Sequence, residues 1–390
     1  MSFTRHITPS TLTAGFITVL VGYTSSAAIV FEAARAAGGS QAQIASWLIV
    51  LGLAMGMTCI GLSLRYRIPV VTAWSTPGAA LLATSLAGHS MNVAVGCFIF
   101  AAALILLCGV TGWFERIMSR VPMSLCAALL AGVLVRFGMN AFVSMQTALL
   151  LVLPMFGVYL VCKRFKPRYV MLLVLLTGIA LAQTQGLLHL DASRFALATP
   201  VWIAPEFNWQ ALIGIGLPLF IVTMASQNIP GVAVLRSAGY TPPVSALISW
   251  TGFVNLVLAP FGCFAVNLAA ITAALCMGKE VHDDPAKRYQ ASVAAGGFYL
   301  ILGVLGAAVG AFLNAFPREL IFAIAGFALL GTIGNGLTLA LREEEQREPA
   351  LITFLVTASG LTLFGIGSAF WGLVAGVLAL LVLGGTHGKK

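Results

Sequence analysis

The chain has 390 residues, of which 59% are hydrophobic and 8% charged, and it carries a formal net charge of +9. Its mean hydropathy is +0.99. Such a composition cannot clothe a soluble surface, so this is an integral membrane protein, and its positive excess belongs to loops at a bilayer rather than to a nucleic-acid face.

Apolar stretches of about 17 to 25 residues recur from Leu12 to Leu383, the length that crosses the hydrocarbon core as a helix. The ten-residue alternation of a membrane barrel is absent. Charges and Gly/Pro clusters predict an all-α chain of about fourteen segments: 12–34, 42–64, 68–88, 91–113, 122–140, 145–162, 168–185, 210–236, 243–259, 261–278, 289–312, 317–340, 349–366 and 369–384. The first lacks the short hydrophobic region and cleavage site of a secretory signal and is expected to be a retained span. Placing the N-terminus in the cytoplasm puts 17 of the 21 Lys and Arg residues inside and leaves Arg35, Arg136, Arg194 and Arg318 outside, a strong positive-inside bias that also makes the C-terminus cytoplasmic. Residues 187–209 form the external connection between a first half, 1–186, and a second, 210–390. Seven segments in each half would insert in opposite orientations. Sequence echoes about 195 residues apart, such as Val121-Pro122-x-x-Leu125 and Phe316-Pro317-x-x-Leu320, favour two inverted repeats of seven.

Two segments are broken in the same way. In the third, Pro69 interrupts any helix, Val70-Val71-Thr72 has strand propensity, and Ser75 or Thr76 can cap a helix that has Pro77 at its first position. In the tenth, Pro260 and Gly262 break the chain, Phe264-Ala265-Val266 can extend, and Asn267 can cap the helix that follows. Entering from opposite sides, the two half-helices would point their N-termini at one place near the midplane, a field that suits a small anion.

Polar residues at similar depth extend the candidate binding set. The first segment carries Tyr23, Ser25 and Ser26; the third adds Thr72 and Trp74 to Ser75 and Thr76; the eighth carries Gln227 and Asn228, beside a Pro230-Gly231 pair that suggests local unwinding. The two amides are expensive to leave unpaired in hydrocarbon and either face a ligand or bond another helix. Ser25 and Ser26 either face the substrate or bond the carbonyl one turn back, while Tyr23 and Trp74 either stack on an aromatic substrate or pack as ordinary aromatics. The lack of a buried carboxylate to supply the counter-charge argues against a cationic substrate.

Intramembrane acids mark proton relays, and none lies at the midplane: protons would ride on the substrate's own carboxylate, on Glu32, near the external end of the first segment, or on water between helices. Glu115 falls in a loop, and His89 and His189 fall in external loops. The seven cysteines form no C-x-x-C pair or Cys/His cluster, so neither a metal site, a disulfide framework nor a cofactor is expected. No acid/base pair or nucleophile triad points to an enzyme. The patterns Gly52-x-x-x-Gly56 and Gly306-x-x-x-Gly310 permit close helix approach and leave a homodimer open.

At Gly22-Tyr23-Thr24-Ser25-Ser26, Trp74-Ser75-Thr76-Pro77-Gly78, Ser226-Gln227-Asn228-Ile229-Pro230-Gly231 and Asn267, the chain resembles the BenE-type benzoate/proton symporter family. The resemblance covers essentially the whole chain. It implies a bacterial inner-membrane secondary transporter that imports benzoate or a related aromatic carboxylate with protons. It also implies the wider fold of nucleobase/ascorbate and sulfate/bicarbonate transporters, with core (12–113 and 210–312) and gate (122–185 and 317–384) domains and substrate between the third and tenth segments. Many nucleobase carriers of that fold have an acid in the eighth or tenth segment, where this chain has Gln227, Asn228 and Asn267. The alternative is a uniporter or channel-like carrier for another small organic anion or a nucleobase.

Overall fold

The computed structural model describes residues 8–113, 122–165, 170–188, 199–269, 271–279, 281–306, 315–361, 363 and 368–383, without the side chains of residues 24, 25, 171, 237, 271 and 332. Glu115, residues 189–198 of the external connection, His189 among them, and the side chain of Ser25 therefore lie outside the described residues.

The first half opens with α1 (Pro9–Ala36), which starts where Thr8 and Thr11 form a reciprocal cap around Pro9. Its two parts, Pro9–Tyr23 and Ser26–Ala36, meet at a bend of 43°. A second reciprocal cap, from Ser40 and Gln43, begins α2 (Gln41–Tyr66), which ends at Arg67 in the left-handed conformation. Such caps satisfy N–H groups that a helix end cannot pair internally. The chain then extends as β1 (Thr72–Trp74) and turns into α3 (Thr76–Ser85). Helices α4 (Met91–Thr111), α5 (Met123–Val143), α6 (Leu149–Phe165) and α7 (Val170–Thr184) follow.

The second half begins with α8 (Trp209–Arg236) and α9 (Val244–Leu258). It breaks at β2 (Val266–Leu268) and the four-residue α10 (Ile271–Ala274), then continues as α11 (Tyr289–Val304), α12 (Arg318–Ala340), α13 (Arg347–Ser359) and α14 (Ser368–Leu383). Six of these helices are long and apolar enough to cross a bilayer, or seven when the bent α1 is counted as one span.

Helix packing is organised around the two breaks. α2 lies against α11, α4 against α9, and α5 against α12, while β1 pairs with β2 at the centre. The α2–α11 contact is possible because both helices present glycine: a Cβ on Gly52 would sit 2.4 Å from the Cα of Gly303, and one on Gly56 would sit 2.6 Å from Leu300. The Gly52-x-x-x-Gly56 pattern is thus used within the chain.

Candidate functional site

The site is built on a two-stranded antiparallel ribbon that joins the two halves, with Thr72 opposite Leu268, Ala73 opposite Asn267 and Trp74 opposite Val266. Bonds from Ser75 N to Ala265 O (2.8 Å) and from Ala269 N to Val71 O (2.9 Å) flank it. In an antiparallel ladder alternate residues turn their N–H and C=O groups outward, and in hydrocarbon such edges must find partners.

Side chains supply them. On the β1 edge, Thr72 N donates to Cys59 Sγ (3.1 Å) and Trp74 N to Met55 Sδ (3.2 Å), while Ser63 Oγ bonds both N and O of Val70. On the β2 edge, Asn255 clamps Val266: its Nδ2 donates to Val266 O and its Oδ1 accepts from Val266 N, each at 2.8 Å. Asn228 Oδ1 accepts from Leu268 N at 3.0 Å. Gly231 lets α8 come this close, since a Cβ there would lie 2.7 Å from the Leu268 Cβ.

Beside the ribbon is a cavity of about 540 Å³, within the size range of small-molecule sites. Its walls come from α1, the β1–α3 turn, the middle of α8, the β2–α10 turn, Tyr299 of α11, and the facing ends of α5 and α12. Of the predicted residues, Ser26, Trp74, Thr76 and Gln227 line it together. Trp74 Nε1 donates to Ser26 Oγ (2.8 Å), which donates to Gly22 O (2.8 Å). Tyr23 stands behind this wall, its ring 4.7 Å from that of Trp74 in an edge-on contact, and its buried hydroxyl has no partner among the described residues.

The other predicted residues serve the scaffold. Thr72 is fully buried, its hydroxyl bonded to Thr58 Oγ1 and to Met55 O. Ser75 is the cap of α3, accepting from Gly78 N at 3.0 Å, which moves Pro77 to the second helical position. With Ser75 Oγ on Gly78 and no N–H on Pro77, Thr76 N is the first-turn donor left without a partner among the described residues, and Thr76 lines the cavity.

Asn228 is turned onto β2 and away from the cavity. Asn267 does not cap the second half-helix; it sits within β2, which lies two residues later than the predicted stretch, with Nδ2 on Ala265 O and a buried Oδ1 that has no partner among the described residues. The half-helix itself has four residues, so its dipole is smaller than that of α3. The chain does not unwind at Pro230-Gly231. Instead a π-helical turn over Met224–Asn228 precedes them, because Pro230 has no N–H to return to the preceding turn. That widened turn presents Ser226 and Gln227 to the cavity. Glu32 is not in its lining and lies 3.6 Å from Arg35.

Sequence reading missed Tyr299, Thr272 and Asn335 in the lining and Asn255 behind the ribbon. A lone Tyr in an apolar helix looks like packing, but an Asn at mid-helix in an apolar span is a polar group that needs a partner. No carboxylate, Lys, Arg or His lines the cavity, and no group of three or more metal-ligating side chains occurs among the described residues. The arrangement can therefore hold a small, partly aromatic ligand by neutral donors: Thr76, Gln227, Thr272 and the Tyr299 hydroxyl around a mostly apolar pocket.

Comparison with solved structures matches this architecture. The transmembrane domain of a cyanobacterial bicarbonate transporter, BicA, superposes with a TM-score of 0.60 at 13% identity, covering 98% of both chains. A structure of SLC26A9 gives 0.66 at 12% identity, covering 95% of this chain and 65% of that one. The fold is therefore a helical membrane-transporter fold. In sequence, the chain is 50% identical over 377 residues to the inner membrane protein YdcO of Escherichia coli K12, covering 97% of this chain and 96% of that protein. It is 41% identical over 370 residues to the benzoate membrane transport protein of Acinetobacter baylyi, covering 95% and 94%. Proteins of this kind are transporters rather than enzymes, and the profile of the benzoate membrane transport family matches residues 5–382: the chain belongs to the BenE family.

Proposed function

We propose that this protein is a secondary active transporter of the bacterial inner membrane that imports benzoate or a related aromatic carboxylate, with protons, by alternating access. The observation that carries the reading is the cavity at the crossing of two broken segments, polar but uncharged at the ribbon and α8, aromatic at Trp74 and Tyr299. The carboxylate is received by Thr76 and Gln227 and the ring lies against Trp74 and Tyr299, with Ser26 holding the Trp74 indole in place. The substrate brings its own charge, which explains why no counter-ion is built into the wall.

The same reading gives fourteen segments in two inverted repeats, with both termini cytoplasmic. Packing supports it by its exchange symmetry: α2 on α11 answers α9 on α4, and α6 on α7 answers α13 on α14. Core (12–113, 210–312) and gate (122–185, 317–384) then meet along the cavity, where α3 touches α5 and α1 touches α12. Because Met123 and Leu339, at the cytoplasmic ends of α5 and α12 in this topology, line the cavity, the conformation is inward-facing.

The test is uptake of labelled benzoate by purified protein in liposomes, corrected for passive entry of benzoic acid. Uptake should saturate, and an inward proton gradient should accelerate it. Uptake equal to that of protein-free vesicles would refute the substrate; saturable uptake indifferent to the gradient would leave a uniporter, the reading favoured by the uncharged lining. Preloaded unlabelled substrate accelerates a carrier and not an open pore.

A further inference from the structure

A second, smaller cavity of about 150 Å³ lies farther along the same seam. The large cavity takes Thr76 and Pro77 of α3 and Met123 to Leu130 of α5; the small one takes Leu81, Thr84 and Ser85 of α3 and Gly132, Val133 and Arg136 of α5. At about 1.5 Å per residue, the two follow one another within roughly one to two helical turns. Between the two linings lie the buried Ala79 and Ala80 of α3 and Ala131 of α5.

The small cavity contains a half-buried cation. Arg136 donates from Nε to Ala358 O (3.0 Å) and from Nη2 to Ser359 O (2.8 Å), at the end of α13. With 13 residues, α13 is about 20 Å long, short of the roughly 30 Å of hydrocarbon, so its last carbonyls end within the membrane and need donors. That cap accounts for two of the guanidinium's donors and not for its charge: a helix C-terminus offers about half a negative charge against one full positive charge. Among the described residues no carboxylate pairs with Arg136 and Nη1 has no hydrogen-bond partner.

A second observation points to a ligand. Thr357, 4% exposed and lining the same cavity, has a buried hydroxyl with no partner among the described residues. Ser85, His89 and Ser368 line it as well. An uncompensated guanidinium beside an unsatisfied hydroxyl, in a polar hollow at membrane depth, is a place for an anion.

We infer that this hollow is an outer capture site for the carboxylate group of the transported substrate, holding it at Arg136 and Thr357 before the seam opens to the main cavity. The inference rests on the proposed transport of an aromatic carboxylate. Its face is the one opposite the mouth of the main cavity, so its effect is sided: it governs half-saturation from the outer face and not from the inner.

The test compares benzoate uptake into intact cells with uptake into inverted membrane vesicles, for the wild type, Arg136→Gln, Arg136→Lys and Ser85→Asp. Loss of a charge-assisted contact should raise the outer half-saturation concentration about tenfold in Arg136→Gln and leave the inner one within about twofold. Arg136→Lys should recover most of the affinity. Ser85→Asp places a competing carboxylate beside the guanidinium without touching the α13 cap, and should raise the outer value similarly even if Arg136→Gln fails to fold. Equal shifts from both faces, or wild-type values in Ser85→Asp, would overturn the capture site while leaving transport intact. Absence of saturable uptake by the wild type would overturn both readings together.

Discussion

Replacing Asn255 with Leu, which is close in size and has no polar atoms, should unfasten β2 from α9. Two bonds of 2.8 Å join the Asn255 amide to the N–H and C=O of Val266, and antiparallel geometry turns both groups away from β1. In a buried site neither finds water. An orphaned buried polar group costs roughly 1–3 kcal/mol, so the pair costs about 2–6 kcal/mol, a large share of the roughly 5–15 kcal/mol that holds a typical fold together. At about 1.4 kcal/mol per decade, the lower figure already means a roughly 30-fold loss of protection. Hydrogen exchange read by mass spectrometry on peptides spanning 262–269 should show it, with faster exchange confined at first to that stretch. Val257→Leu, on the exposed side of the same helix, is the control and should exchange like the wild type. Unchanged protection of the Val266 amide in Asn255→Leu would refute the idea that side chains carry the ribbon's outer edge.

Gln227→Ala and Asn228→Ala should separate binding from stability. The first removes a cavity-facing amide and should raise the half-saturation for substrate about tenfold with little change in thermal unfolding; the second leaves Leu268 N without its acceptor and should destabilise by about 1–3 kcal/mol, seen as a lower unfolding temperature in detergent. Trp74→Phe keeps an aromatic edge toward Tyr23 but loses the bond to Ser26, and uptake kinetics should show affinity reduced by roughly two- to tenfold, as befits one ordinary hydrogen bond. Gly52→Leu should not yield monodisperse protein on gel filtration, because even a Cβ there collides with Gly303, whereas Gly61→Leu, with open space around it, should behave normally.

The first broken segment was legible because everything that shapes it is local. Pro69 follows closely on the end of α2, the chain extends, and Ser75-Thr76-Pro77 restarts a helix within a few residues; the slips were to place the strand at Val70–Thr72 rather than Thr72–Trp74 and Pro77 first rather than second in α3. The second was less legible because its geometry is imposed from elsewhere. Asn255 lies 11 residues before Val266 and Asn228 lies 40 residues before Leu268, so the start of β2 and the failure of Asn267 to act as a cap depend on helices that the local sequence does not mention. Thr72 and Asn228 were drawn out of the candidate site for the same reason: inside hydrocarbon an unpaired strand edge claims a polar side chain more strongly than a cavity does. Gln227 and Asn228 are neighbours, and successive residues of a helix point about 100° apart, so one faces the cavity and the other β2. Tyr299 gave no local signal at all.

These bonds also say which part of the protein can move. The ribbon is tied to α2 through Cys59, Ser63 and Met55, to α8 through Asn228, and to α9 through Asn255. Trp74 and Ser75 add ties to Ser26 on α1 and to Thr223 on α8. Displacing β1 or β2 against any of these helices would strand backbone groups in a medium that offers no replacement, so the ribbon and its helices respond as one body. The proposed gate has its own internal ties, such as Ser124 to Gln346, Thr147 to Glu319 and Arg136 to the end of α13. Where the two groups face each other, the seam holds the two cavities in place of a hydrogen-bonded ladder. Sliding or rocking along α3 and α5 therefore breaks apolar contacts that can re-form one turn away, while bending the ribbon breaks bonds that cannot. Access to the site should alternate by motion of the whole core against the gate, with the ribbon's hydrogen bonds kept throughout.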